Sequence, residues 1–255
     1  MAQKLFVAVS GKGGVGKTVT TALTLKHLVD AGRVVLAVDA NPDSNLAEVI
    51  GVPAKKTVSK VAFELKKAID AGKTPAGLTK KDVLEAKIYE IVEETPKFDL
   101  LVMGRGEGEG CYCLINSLLT QILDSLSKGY DVTLMDTEAG LEHLSRRTDR
   151  DVDIMIVVTD ASALGFLTAK RIKEVSIEVH VEFKKMYMLG VRFPPDLEGK
   201  LEDTAKKLGY EYAGAVPYDE NVFRYNFEGK SLLELPQDSP SMLAVGKALR
   251  RMSLI

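Results

Sequence analysis

Short apolar runs recur along the chain, apolar on consecutive rather than alternate positions, with longer stretches of helical period between them. Runs of this kind read as strands buried on both faces. Strands are predicted at 4–10, 33–39, 98–103, 130–136, 152–159, 185–191 and 211–216. Helices are predicted at 17–31, 58–71, 82–94, 112–127, 163–177, 198–208, 219–228 and 240–252. The alternation implies an α/β fold, a mostly parallel β-sheet covered by helices on both faces. The charged stretch 54–96 reads as a helical insertion after the second strand, within a single domain spanning 1–255.

Composition narrows this little. With 34 basic and 36 acidic residues, no strong field points to nucleic acid or an acidic membrane. No apolar run approaches the ~18 residues of a spanning helix. The opening "MAQKLFVAVS" reads as a first strand rather than a signal peptide, so a cytoplasmic protein is expected. The last helix, "SMLAVGKALRRMSLI", has an apolar face of Met242, Leu243, Val245, Leu249 and Met252 beside Arg250 and Arg251. That face suits either a membrane surface or, the preferred reading, packing on the protein's own sheet.

The chemistry begins at "SGKGGVGKT", between the first strand and first helix. Gly11, Gly16, Lys17 and Thr18 fit G-x-x-x-x-G-K-[ST]. The loop Gly13, Gly14, Val15 and Gly16 lets main-chain N–H groups converge on an anion at the positive end of the helix that carries Val19. Lys17 is a charge for the β- and γ-phosphates, and the Thr18 hydroxyl is a ligand for Mg²⁺. Asp39 and Asp136 end two further strands, where open α/β sheets bind ligands, and are the other candidate Mg²⁺ residues. Each is also a residue type that can cap the next element, the less favoured reading. Catalytic candidates are Lys12, Lys17, Asp39, Asp43 and Asp136.

With its extra Lys12, "GKGGVGKT" resembles the deviant-Walker P-loop ATPases, the group of MinD, the ParA partition proteins, the arsenite pump ATPase and the nitrogenase iron protein. The resemblance implies a P-loop NTPase of the MinD type that binds ATP and Mg²⁺ and forms a face-to-face homodimer, with Lys12 reaching the partner's nucleotide. It also implies that the Gly140 N–H senses the γ-phosphate. The segment 217–221, with Pro217, Tyr218 and Asp219, then lines the purine, and Arg192 and Asn41 are further cofactor-binding candidates. Two positions depart from the family pattern. Asn41 stands before Pro42 where many relatives carry the aspartate that orients the attacking water, leaving Asp43 as the nearest carboxylate. Gly190 stands where a base-reading asparagine is expected.

Both cysteines, Cys111 and Cys113, sit in "GEGEGCYC". Two thiolates at i, i+2 can hold one edge of a metal ion and cannot complete its coordination. His27, His143 and His180 are distant in sequence. A second copy of the pair across a two-fold axis supplies two plus two thiolates, enough for tetrahedral Zn²⁺ or square-planar Ni²⁺. Together with "DTEAGLEHLSRRT" (136–148), this motif resembles the CooC-type accessory ATPases and their AcsF branch. That resemblance implies a dimeric metallochaperone delivering Ni²⁺ to carbon monoxide dehydrogenase or acetyl-CoA synthase. A spatial organiser like MinD, or a [4Fe–4S] reductase like the nitrogenase iron protein, remains the alternative. His143 is either a transient metal ligand or an ordinary helix histidine, and Arg146 and Arg147 are salt-bridge or client-docking residues.

Overall fold

The computed structural model describes residues 4–70, 90–105, 112–138, 152–178 and 183–255. Its centre is β1 (Leu5–Gly11), whose side chains alternate between two apolar cores. Val7 and Val9 face one core; Phe6 and Ala8 face the other. Period-two alternation with both faces apolar is why this run is continuous in sequence.

Seven further strands complete the sheet: β2 (Val35–Asp39), β3 (Glu93–Glu94), β4 (Asp99–Val102), β5 (Val132–Asp136), β6 (Val152–Thr159), β7 (Phe183–Val191) and β8 (Glu211–Val216). Their order is β3-β4-β2-β5-β1-β6-β7-β8. All neighbours are parallel except β3, which runs antiparallel to β4. After β1 the chain moves to β2 on one side of it; β6, on the other, begins the second half of the sheet. The carboxyl end of β1 is therefore a topological switch point, where a cleft opens.

The long helices are α1 (Lys17–Asp30), α3 (Val58–Asp70), α4 (Tyr112–Leu126), α5 (Ala163–Glu178), α6 (Glu198–Lys207), α7 (Glu220–Glu228) and α8 (Pro240–Arg251), with a short α2 (Asn45–Val49) between α1 and α3. Leu23, Leu25 and Leu28 of α1 and Val245 and Leu249 of α8 fill one core. Leu119, Ile122, Ile172 and Leu201, from α4, α5 and α6, fill the other.

Two local expectations change. The helix predicted over 82–94 lies mostly outside the described residues, but its end forms strand β3, with Glu93 opposite Leu100 and Glu94 opposite Asp99. Pro96 cannot continue a helical ladder. The Thr95 hydroxyl instead accepts the N–H groups of Lys97 and Phe98, closing a tight turn into β4. Helix α2 falls in a stretch for which no element is predicted.

The terminal helix packs on the protein's own sheet. Met242, Val245, Leu249 and Met252 are buried in the core, leaving Leu243 of that face 51% exposed. His27 Nε2 lies 2.8 Å from the Met242 carbonyl oxygen, tying α1 to α8. No helix among the described residues is long and apolar enough to cross a membrane. Leu249→Ala empties a fully buried site and is expected to cost about 2–5 kcal/mol of unfolding free energy in denaturant titration. A near-neutral result would mean that α8 is not part of the cooperative core.

Candidate functional site

The loop between β1 and α1 is shaped by its glycines. A Cβ on Gly11 would lie 2.2 Å from the Val158 carbonyl oxygen, so β1 and β6 approach this closely only without a side chain there. Gly16 caps α1 in the left-handed region, at φ 105°. The turn opens into a cleft of about 580 Å³ lined by Gly13, Gly14, Gly16, Lys17, Thr18, Val19, Asn41, Asn45, Glu138 and Arg192. Lys17 Nζ donates to the Lys12 carbonyl at 3.2 Å. Burial lowers the Lys17 pKa, against the raising influence of Asp136 and Glu138. Val15 is buried beneath the loop.

Two carboxylates end neighbouring strands in register, Asp39 opposite Asp136. Asp136 binds α1: Thr18 Oγ1 donates to its Oδ2 at 2.6 Å and Thr21 Oγ1 to its Oδ1 at 3.2 Å. A hydroxyl and a carboxylate brought together at the cleft are hard oxygen donors and fit Mg²⁺. Asp39 is directed at the main chain. Its Oδ1 accepts the Asn41 N–H, and its Oδ2 accepts those of Leu46 and Ala47, capping α2.

The segment after β2 also draws its polar side chains away from the cleft. Asn41 lines the cleft, but its Oδ1 accepts the Asp43 N–H at 3.0 Å. The Asp43 carboxylate is paired with Arg105 at 2.7 Å and does not line the cleft. Lys12 Nζ is 3.0 Å from Asp160 Oδ2 within its own chain. Against the raising effect of partial burial, hydrogen bonds from Ser162 and Lys12 and the Lys12 charge hold Asp160 below the usual carboxylate range.

A second pocket, of about 170 Å³, joins the first at Gly16, Val19 and Arg192. It is lined by the expected Pro217, Tyr218 and Asp219, and also by Val191, Val216, Val222, Phe223, Asn226, Ser241 and Val245. These last residues come from separated segments, so no single motif announces them. Arg192 Nη2 donates to the Gly14 carbonyl at 2.8 Å and so bridges the two pockets. Asp219 caps α7 through the Asn221 N–H and accepts from Ser239 and Ser241, which fixes the wall of this slot. Gly190 points elsewhere: a Cβ there would lie 2.5 Å from Leu201 Cδ2 and 2.8 Å from Phe193 Cδ2.

Cys111, the side chain of Cys113, Gly140, His143, Arg146 and Arg147 lie outside the described residues. Among the described residues no group of three or more His, Cys, Asp and Glu side chains could hold a metal ion.

Comparison with known proteins agrees with this geometry. Residues 6–232 match the family described as CbiA, the CobQ/CobB/MinD/ParA nucleotide binding domain. The chain is 49% identical to an uncharacterized ATP-binding protein of Methanocaldococcus jannaschii, over 92% of this chain and 93% of that one. It is 30% identical to the carbon monoxide dehydrogenase accessory protein CooC of Rhodospirillum rubrum, over 90% of this chain and 89% of that one. The fold matches the MinC:MinD cell division protein complex of Aquifex aeolicus at TM-score 0.72 and 18% identity, covering 98% of this chain and 95% of that one.

The buried acid pair has a consequence for stability. Burial first, and then the charge of Asp136, pushes Asp39 up to about 7. Burial pushes Asp136 up to about 6, against hydrogen bonds from Thr18 and Thr21 and the charge of Lys17. Both values lie above the ~4 of an unfolded aspartate, so between about pH 4 and 7 the folded chain holds protons that the unfolded chain releases. Their contribution to stability thus falls as pH rises through this window. In ligand-free protein, the stability of wild type relative to Asp136→Asn is expected to rise by up to about 3 kcal/mol as pH drops from 7 to 4. Denaturant titrations at both pH values check this; a pH-independent difference would show that Asp136 is not held in a charge-disfavouring site.

Proposed function

The chain belongs to the CobQ/CobB/MinD/ParA nucleotide-binding family of P-loop ATPases, and from that premise we propose that it is a nickel metallochaperone driven by ATP hydrolysis. Two copies form a homodimer, gather one Ni²⁺ on paired Cys111 and Cys113 thiolates, and deliver it to carbon monoxide dehydrogenase or acetyl-CoA synthase. The observation that carries this reading is where the Cys-x-Cys enters the chain. It follows β4, a strand parallel to β1, β2 and β5 and ending on the same side of the sheet. The phosphate loop follows β1, the Asn41 switch follows β2, and Asp136 ends β5. The 30% identity to CooC along nearly the full length of both chains supports the same assignment. Zn²⁺ suits the same four-thiolate set.

The cleft residues divide the work of phosphoryl transfer, which is mostly positioning and charge stabilisation. Inward N–H groups of the Gly13–Gly16 turn and the Lys17 ammonium hold the transferred phosphoryl group. Thr18 and Asp136 would hold Mg²⁺, with Asp39 adding negative charge beside them; the bound cation neutralises phosphate charge. Arg192 and the Pro217–Asp219 segment seat the nucleoside. Lys12 leaves Asp160 for the partner's nucleotide when the dimer closes. The Gly140 N–H responds to the γ-phosphate, and its loss on hydrolysis loosens the metal. The cysteine chemistry requires reduced thiols, in keeping with a cytoplasmic setting.

Anaerobic Ni²⁺ and Zn²⁺ titration of wild type and of the Cys111→Ser/Cys113→Ser variant, with oligomeric state read in parallel, tests the proposal. One tightly held ion per dimer, absent in the variant, is expected. One ion per monomer, or binding retained in the variant, would refute it. Lys12→Ala is expected to abolish nucleotide-driven dimerisation together with turnover, as read by light scattering and phosphate release. Normal turnover in that variant would remove the dimer from the mechanism.

A further inference from the structure

Hydrolysis is helped by a group that orients water against the γ-phosphate and can take its proton, and the position after β2 where the family resemblance leads one to expect such a carboxylate is an amide, Asn41. The other acids nearby are committed. Asp39 is fully buried, with both oxygens on the N–H groups of Asn41, Leu46 and Ala47. Asp43 is paired with Arg105. Asp136 accepts from Thr18 and Thr21, and Asp160 from Lys12 and Ser162.

Glu138 differs from all of these. It is the one acidic residue lining the phosphate cleft among the described residues, facing it together with Lys17, Thr18, Asn41 and Asn45. Its carboxylate is close enough to Lys17 to raise that lysine's pKa electrostatically, yet no hydrogen bond to its side chain is found among the described residues. Its main chain is anchored. The Glu138 carbonyl accepts from Ser10 Oγ at 3.3 Å and Thr137 Oγ1 at 3.0 Å, and both hydroxyl-bearing residues are buried at the ends of β1 and β5. Thr137 also donates through its N–H to the Val9 carbonyl at 3.1 Å. A carboxylate carried on a fixed main-chain position at the cleft, with no side-chain partner among the described residues, is what a positioned base needs.

We propose that Glu138 is the catalytic base of this ATPase, in place of the aspartate that Asn41 replaces. Its carboxylate accepts one proton of the attacking water as the water oxygen bonds to the γ-phosphorus. The bond from that phosphorus to the β,γ-bridging oxygen breaks and ADP leaves. The proton then passes to the released phosphate, which restores the carboxylate. No oxidant or further co-reactant is involved.

The test separates chemistry from binding. Glu138→Gln keeps the shape and removes the base, so single-turnover hydrolysis of ATP is expected to fall about 10²–10⁴-fold. Affinity for a non-hydrolysable ATP analogue should stay within about threefold of wild type, which also certifies that the variant is folded. Added to Glu138→Gln, Asn41→Asp returns a carboxylate to the cleft from its other side and is expected to recover part of the lost rate. Wild-type hydrolysis in Glu138→Gln would overturn the assignment. So would a loss of analogue affinity matching the loss in rate, because Glu138 would then act in binding alone.

Discussion

The clamp between α1 and β5 is the interaction on which the site depends. Thr18 and Thr21, one helical turn apart, both donate to the Asp136 carboxylate. This fixes the first turn of α1 against the end of β5, so that the phosphate loop on one side and the Thr137–Glu138 segment on the other keep a constant separation. The cost is a carboxylate held almost out of water beside a second one, Asp39. Two adjacent buried acids disfavour each other's ionisation. A cation drawn to the cleft relieves that repulsion, so the arrangement trades stability of the free protein for affinity toward metal-bound nucleotide.

Around this rigid centre the charged contacts are of another kind. Lys12–Asp160 and Asp43–Arg105 are partly or largely exposed pairs, and such pairs contribute about 0–1 kcal/mol. They hold loops in place without locking them. Both involve residues flanking the cleft, and both are weak enough to yield to a phosphate or to a second copy of the chain. The apolar cores on the two faces of the sheet supply the stability that these pairs do not. The burial of α8 belongs to those cores: an apolar helix face packed on α1 and β8 is not available to a lipid surface.

What the sequence made legible follows from how local each signal is. The seven longer strands are visible because burial on both faces leaves an unbroken apolar run. The phosphate loop is visible because its glycines, lysine and threonine lie within eight positions. Helix α2 is not visible: its five residues are too few for a helical period, and its cap is the Asp39 side chain, a contact between separated positions. Strand β3 is hidden for a related reason. Its two glutamates favour helix locally, and only the Thr95 turn folds them onto β4. Asp43 looked like the natural substitute base because it is nearest to Asn41 in sequence, but Arg105, 62 residues on, draws it aside. Glu138 stands in a motif that sequence reading divided between Asp136 and Gly140, and only the shape of the cleft singles it out.

The second pocket follows the same logic one step further. A side chain at Gly190 would press into Leu201 and Phe193 on the opposite core, so the end of β7 cannot carry an asparagine without repacking that core. The chain builds the slot from the other direction. Val19, Val191, Val216, Pro217, Val222 and Phe223 form an apolar wall suited to a planar ring, and their contribution scales with the area they remove from water. Arg192, held in a left-handed backbone conformation and bonded to the Gly14 carbonyl, ties that slot to the phosphate loop. One hydrogen bond from the Arg192 side chain to the Gly14 carbonyl thereby joins the two pockets, whereas a side chain at position 190 has no room in this core.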